Sequence, residues 1–270
     1  MMKKLVLLAV VIGFFGCKEQ AQKKEPVKKD VVATVQQDQK KFPENLKKVF
    51  DAHGGFDTWK GYRSLSYDLP KGDIKETHYI DLITRKDKIT IDANDVALGF
   101  DGEQVWLSDP KGAYKGNPAF YHNLMFYFYT MPFVFGDEGI NYQEAENLEF
   151  EGMSYPGIRI TYDNGVGASP KDEYYLYYNP DTFQMEWLGY TVTYRTGEAS
   201  DSVNWIRYND WMKVGEVVLP KSISWYTHED KKMIAVRNKV SFENVMLQKM
   251  AKDNGFYDKP EGGNYVNGKK

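Results

Sequence analysis

Residues 174–194 read YYLYYNPDTFQMEWLGYTVTY, two strand-like runs joined by a turn at Pro180 and Asp181. Successive side chains of an extended strand point to opposite faces. Tyr174, Leu176 and Tyr178 therefore share one face, and Tyr175 and Tyr177 share the other. On the return run, Leu188, Tyr190, Val192 and Tyr194 oppose Trp187, Gly189, Thr191 and Thr193. Both faces are apolar, which an antiparallel sheet wetted on one side does not require. One face needs a helical cover, and the other lines an interior. The whole chain shares the bias, with 6 Trp, 20 Tyr and 15 Phe making up 15% of 270 residues. Tyrosine has an apolar body and a polar tip, so it serves equally in packed core and in the wall of a cavity. Both readings stay open from sequence.

Strand signals recur at 64–69, 76–84, 88–92, 148–150, 157–162, 204–211, 222–227 and 233–247, mostly β-branched and aromatic runs with turns between them. Asp101 and Gly102 mark a tight hairpin leading to Trp106. Two helices interrupt the series. The first starts at Pro43, places Leu46, Val49 and Phe50 on one face, and stops at Gly54 and Gly55. The second opens with Asn117 as N-cap and Pro118 at its first position, and Pro132 ends it near Met131. It is apolar almost all round, with Phe120, Leu124 and Phe128 on one stripe and Tyr121, Met125 and Tyr129 beside it, so it should be a buried covering helix. The expected fold is mainly β (α+β), an incomplete antiparallel β-barrel or half-barrel with covering helices, occupying 42–262. Residues 263–270 are expected to be a disordered tail.

The amino terminus has a different character. Two lysines precede LVLLAVVIGFFG (residues 5–16), an uncharged run of 12 that is too short to span about 30 Å of hydrocarbon but suits a secretory signal. It resembles a bacterial lipoprotein signal: the single cysteine, Cys17, stands where the thiol would be acylated and the chain cut at 16/17. Residues 17–41 then read as a lipidated cysteine and a flexible tether, with seven Lys against four acids in 18–41 and no aromatic. That positive charge either meets anionic headgroups or is simply solvated. From Phe42 onward 26 basic residues face 34 acidic ones, a charge of −8 that offers nucleic acid no footprint.

Three segments carry a further resemblance. DAHGGFDTWKGYRSLSYDL (51–69) is similar to the helix-to-first-strand signature of lipoprotein-sorting carriers. FDGEQVWLSDP (100–110) resembles the hairpin of the periplasmic lipoprotein carrier and its mycobacterial lipoprotein cousins. The aromatic helix ending MPF (131–133), taken with 174–194, resembles a family of uncharacterised lipoproteins common in the Bacteroidota. The resemblance implies an incomplete barrel whose concave apolar face, under helices, accommodates acyl chains. The soluble carrier is not lipidated, so Cys17 points to a tethered binder of lipid and not to a shuttle.

No catalytic motif emerges. His53, His78, His122 and His228 are too far apart for a zinc helix, and a single cysteine excludes a cysteine-cluster metal site. Asp51, His53 and Asp57 are close in sequence, but a histidine in a last helical turn more simply bonds free carbonyls. His122 reads as a polar partner within the covering helix or as a ligand contact. Residues 152–157 (GMSYPG) lack the spacing of a nucleophile elbow, and 92–95 (DAND) lack the Gly and Glu of a calcium loop. No cofactor and no metal are expected, and the chain is read as a non-enzyme.

The leading expectation is an envelope lipoprotein, membrane-anchored through Cys17, that binds a hydrophobic small molecule or lipid. The lining would be Trp106, Phe120, Leu124, Met125, Phe128, Tyr177 and Trp187, with the 117–131 helix swinging on Gly116 and Gly136. The outer membrane is the first choice of location, facing either the periplasm or the medium. A structural or interaction lipoprotein with a packed core, a glycan-stacking surface module and an unrecognised hydrolase remain the alternatives.

Overall fold

The computed structural model describes residues 42–163, 171–194, 196–229 and 231–266. Cys17 and the signal and tether segments lie outside the described residues. Helix α1 (Glu44–Ala52) buries Leu46, Val49 and Phe50, as their spacing predicts. It ends in a Schellman cap: Gly54 N–H bonds Asp51 O at 3.0 Å, Gly55 N–H bonds Phe50 O at 2.8 Å, and both glycines have positive φ. A short α2 (Phe56–Lys60) leads to five antiparallel strands: β1 (Ser64–Lys71), β2 (Ile74–Asp81), β3 (Asp87–Ile91), β4 (Val96–Phe100) and β5 (Val105–Ser108).

The covering segment differs from the single helix its composition predicts. It forms α3 (Pro118–Tyr121) and α4 (Leu124–Tyr129), interrupted at His122 and Asn123. The expected cap is present, with Asn117 Oδ1 accepting from Phe120 N–H at 3.3 Å and Pro118 at the first turn. The break has a tertiary cause. Tyr121 and His122 are held by carboxylates on β2 and β3, whereas Met125, Phe126, Phe128 and Tyr129 of α4 sink into the main core. Gly136 lies against the Phe56 ring, which comes within about 2.1 Å of where a Cβ would stand, so no larger residue fits there without a shift.

Seven more strands follow: β6 (Ile140–Phe150), β7 (Met153–Tyr162), β8 (Tyr174–Tyr178), β9 (Met185–Tyr190), β10 (Asn204–Val214), β11 (Val217–Glu229) and β12 (Lys232–Ser241). They form one antiparallel sheet in the order β12-β11-β10-β9-β8-β7-β6. Then β13 (Glu243–Gln248) and β14 (Asn264–Tyr265) return to the first sheet, whose order is β13-β1-β2-β3-β4-β5-β14. The protein is thus mostly β, two open antiparallel sheets of seven strands with few helices. The second sheet curls until its unpaired edge strands β6 and β12 touch, with Lys231 and Glu146 bridging them at 2.7 Å.

Two sequence expectations are corrected here. The run 233–247 is not one strand, because Phe242 turns into the core and passes the chain from the second sheet to the first. Nor does the ordered chain stop at 262. Asn264 and Tyr265 pair with Leu107 and Trp106, and Val266 N–H bonds Val105 O at 2.9 Å, which covers the β5 edge. Residues 267–270 lie outside the described residues.

The main core sits between the two sheets and the helices. Phe242 stands at its junction, 4.0 Å from the Tyr129 ring of α4 and 5.4 Å from Tyr67 of β1. Truncating it would strip one ring from the contact that joins the sheets and leave a void. Phe242→Ala should therefore destabilise the protein by about 3–5 kcal/mol. Urea unfolding checks this, and a loss below about 1 kcal/mol would place the junction elsewhere.

Candidate functional site

The seven residues expected to line one cavity occupy three separate places. Met125 and Phe128 lie in the main core, where the Phe128 ring meets Tyr190 at 5.1 Å and Trp225 at 5.7 Å. Leu124 packs half-buried against the same core, and half-buried Phe120 meets Tyr194 at 4.9 Å. Trp106 is on the opposite face of the first sheet from α3, since its neighbour Leu107 packs on the α3 side. Its Nε1–H donates to Tyr257 O at 2.9 Å. Tyr177 and Trp187 belong to a second aromatic cluster, with Leu148, Tyr155 and Trp205, on the face of the second sheet turned away from the main core. Rings of Tyr190, Trp225 and Phe242 pack directly against Phe128 and Tyr129 of α4.

Part of the aromatic excess has a structural role. Gly99 pairs directly with Trp106, Gly157 with Tyr177, and Gly189 with Trp205. In each pair the ring lies across the glycine. A Cβ on Gly99 would come within 2.8 Å of the Trp106 ring, and one on Gly157 within 2.6 Å of Tyr177. Only glycine admits that approach inside a strand. Alternation alone does not reveal this pairing, which is why Trp106 and Tyr177 read as cavity lining from sequence.

Beneath α3 lies a buried polar cluster. Glu76 and His78 share a face of β2 with Ile80, and Tyr67 stands opposite His78 on β1. Tyr67 O–H meets His78 Nδ1 at 3.3 Å, His78 Nε2 meets Glu76 Oε2 at 3.2 Å, and Tyr121 O–H donates to the same oxygen at 2.5 Å. Lys71 Nζ closes the group, 2.8 Å from Glu76 Oε1 and 2.6 Å from the Tyr121 hydroxyl. Burial alone would raise the Glu76 carboxyl, but bonds from His78, Lys71 and Tyr121 outweigh it and hold its pKa at about 2. Burial lowers His78, so the neutral ring donates from Nε2 and accepts at Nδ1. Alongside, His122 Nδ1 meets Asp87 Oδ2 at 2.6 Å, and burial raises the Asp87 carboxyl. The bonds from Tyr121 to Glu76 and from His122 to Asp87 fasten the end of α3 to β2 and β3.

His53 holds the fold together. Its ring accepts from Met185 N–H at Nε2 (3.1 Å) and donates from Nδ1 to Val218 O (3.3 Å), tying the end of α1 to β9 and β11. The sequence suggestion that it bonds carbonyls is met by a strand carbonyl, not one of its own helix. Among the described residues, no three His, Cys, Asp or Glu side chains converge as metal ligands.

Open clefts mark the surface of the described residues, two of them at the ends of the second sheet's edge strands. One, of about 640 Å³, runs from Pro43 and Lys48 of the α1 end to Tyr142, Tyr178 and Phe183. The other, of about 520 Å³, follows the seam between β6 and β12. Its walls are Phe150, Tyr226, Met233, Ile234, Ala235 and Val236, with Glu149 and Glu151 on one lip and Lys232 on the other. Ile234 and Val236 are 56% and 52% exposed. The floor rings rest on the second aromatic cluster: Phe150 and Tyr226 lie 4.8 and 4.9 Å from Trp187. The volume falls within the range of small-molecule sites.

A family model described as "Family of unknown function (DUF6503)" matches residues 3–242. The chain belongs to that family. No curated protein matches it. Among solved structures it is similar to a DUF1329 family protein from Desulfovibrio piger, with 10% identity, a TM-score of 0.48, and coverage of 80% of this chain and 98% of that one. It is similar also to a LolA superfamily protein from Nitrosomonas europaea, with 11% identity, a TM-score of 0.46, and coverage of 78% and 96%. The Mycobacterium tuberculosis lipoprotein LppX matches at 14% identity and a TM-score of 0.23, over 54% of this chain and 85% of that one. At these scores the similarities assign neither ligand nor activity to the DUF6503 chain.

Two tests follow from the polar groups. Tyr121→Phe removes one charge-assisted bond from α3 to β2 and should cost about 1–3 kcal/mol. Hydrogen exchange should then accelerate in 118–124 more than in the sheets, and unchanged exchange there would refute the fastening. The second test concerns His53, whose pKa burial lowers from 6.5 to about 4, partly opposed by the bond to Val218. Below pH 6.5 the unfolded chain takes up a proton that the folded ring refuses until about pH 4. This contribution is therefore complete above pH 6.5 and is lost as pH falls to 4, amounting to about 3 kcal/mol. Urea unfolding at several pH values should show a shallower slope in that window for His53→Gln than for the unmodified protein. Parallel curves would be the contrary result.

Proposed function

We propose that this protein is a lipid-anchored envelope lipoprotein that holds an apolar ligand, a lipid or acyl chain, in the seam between β6 and β12. The observation that carries the reading is the seam itself. Two sheet edges meet without pairing, and exposed Ile234 and Val236 line a cleft floored by rings. Water in such a cleft gains by release, at about 0.8 kcal/mol for each methylene buried in its place. A few carbons of an acyl chain then suffice for useful affinity without a specific polar contact. Cys17 supplies the anchor, so ligand would be handled close to the membrane rather than carried away from it.

The rings packed against α4 favour a second reading, in which the protein is a structural or interaction lipoprotein without ligand. One experiment separates the two. Cells making the full chain are grown with a photoactivatable fatty acid, irradiated, and the labelled peptides mapped. Label on the Cys17 peptide, absent from Cys17→Ala, reports the anchor. Crosslinks within 149–153 and 226–236, reduced severalfold by Val236→Glu, report the ligand. An anchored protein with crosslinks nowhere in the seam would leave the structural reading standing and end the ligand-binding one.

A further inference from the structure

Resting on the reading of the seam as an apolar ligand site, we infer that its ligand is a zwitterionic aminophospholipid, recognised by lips of opposite charge. The seam separates charge by strand. On the β6 side stand Glu146, Glu149 and, in the following turn, Glu151; on the β12 side stand Lys231 and Lys232, with Glu229 of β11 opposite Lys232. At one point the two signs meet directly, Lys231 to Glu146 at 2.7 Å. At the cleft they do not close on each other. Glu149 and Glu151 line one lip and Lys232 the other, with the apolar walls between them. Glu149 is oriented by the hydroxyl of Ser154, which donates to its Oε1.

A headgroup that carries an ammonium and a phosphate a few bonds apart answers both lips at once. The ammonium meets the carboxylates of Glu149 and Glu151, the phosphate meets Lys232, and the acyl chains lie on Phe150, Met233 and Val236. A purely anionic lipid satisfies Lys232 but brings its charge against two carboxylates. A neutral diacylglycerol leaves all three charges to water. The preference is therefore a difference in charge matching superimposed on the same apolar burial. Two partly exposed ion pairs together discriminate by about tenfold.

The test uses the full chain in its own membrane. A photoactivatable fatty acid enters the phospholipid pool, and after irradiation the mass of each lipid attached to peptides 149–153 and 226–236 identifies its headgroup. The expected result is aminophospholipid adducts enriched about tenfold over anionic ones relative to their ratio in the bulk membrane. Lys232→Gln and the pair Glu149→Gln with Glu151→Gln should each bring that enrichment close to unity while seam crosslinks persist. Adducts that mirror the bulk membrane would overturn the headgroup inference and leave the apolar site intact. Enrichment that survives both sets of substitutions would overturn the assignment to these lips. An absence of seam crosslinks would remove both the headgroup and the site.

Discussion

The contact between Phe242 and Tyr129, with ring centroids 4.0 Å apart, is where three parts of the molecule become one. Tyr129 ends α4, Phe242 is the single residue between β12 and β13, and Tyr67 of β1 closes the group from the first sheet. Neither sheet could bury its inner face alone, since each presents a full row of Leu, Ile, Tyr and Phe to the other and to the helices. The crossing at Phe242 makes this burial shared. It also lets the second sheet curl on its own, because β13 leaves for the first sheet where a continued β12 would have stayed in register with β11.

Ring-over-glycine contacts recur in both sheets. Glycines at 157 and 189 remove side chains where Tyr177 and Trp205 cross them, so the rings approach the backbone of the neighbouring strand. The same device recurs at Gly99 and Trp106 in the first sheet. The second sheet brings β6 toward β12 without pairing them. The seam is the gap left where the two edges of this sheet meet without pairing.

Much of the fold was legible in sequence because its determinants are local. The α1 cap depends on Gly54 and Gly55, the α3 start on Asn117 and Pro118, and the β4–β5 hairpin on Asp101 and Gly102, all within a few residues of the element they define. The doubly apolar run 174–194 stated correctly that both faces are covered: Leu176 and Leu188 face the main core, Tyr177 and Trp187 the second cluster. The break between α3 and α4 was illegible because it is imposed by Glu76 and Asp87, more than thirty residues upstream. The same distance hid the polar cluster. Its only local sign is the alternation that puts Glu76 and His78 on the face of Ile80, where a solvated strand would have reversed the order. As for the candidate site, aromatic character was readable, but which aromatics meet was set by cross-strand register.

The charges along the seam follow from the problem that open edges pose. An unpaired strand edge invites pairing with another chain, and charged side chains on it are the usual protection. Here the two edges carry opposite signs, Glu on β6 and Lys or Arg on β12. Like edges of two copies repel, while opposite edges attract, within one molecule across the cleft or between two molecules. Because these charges face water, the attraction decays over roughly 8–10 Å at physiological salt and acts only where the edges already lie close. The polar contact that spans the seam among the described residues is thus an exposed ion pair, Lys231 to Glu146, and not a ladder of backbone bonds.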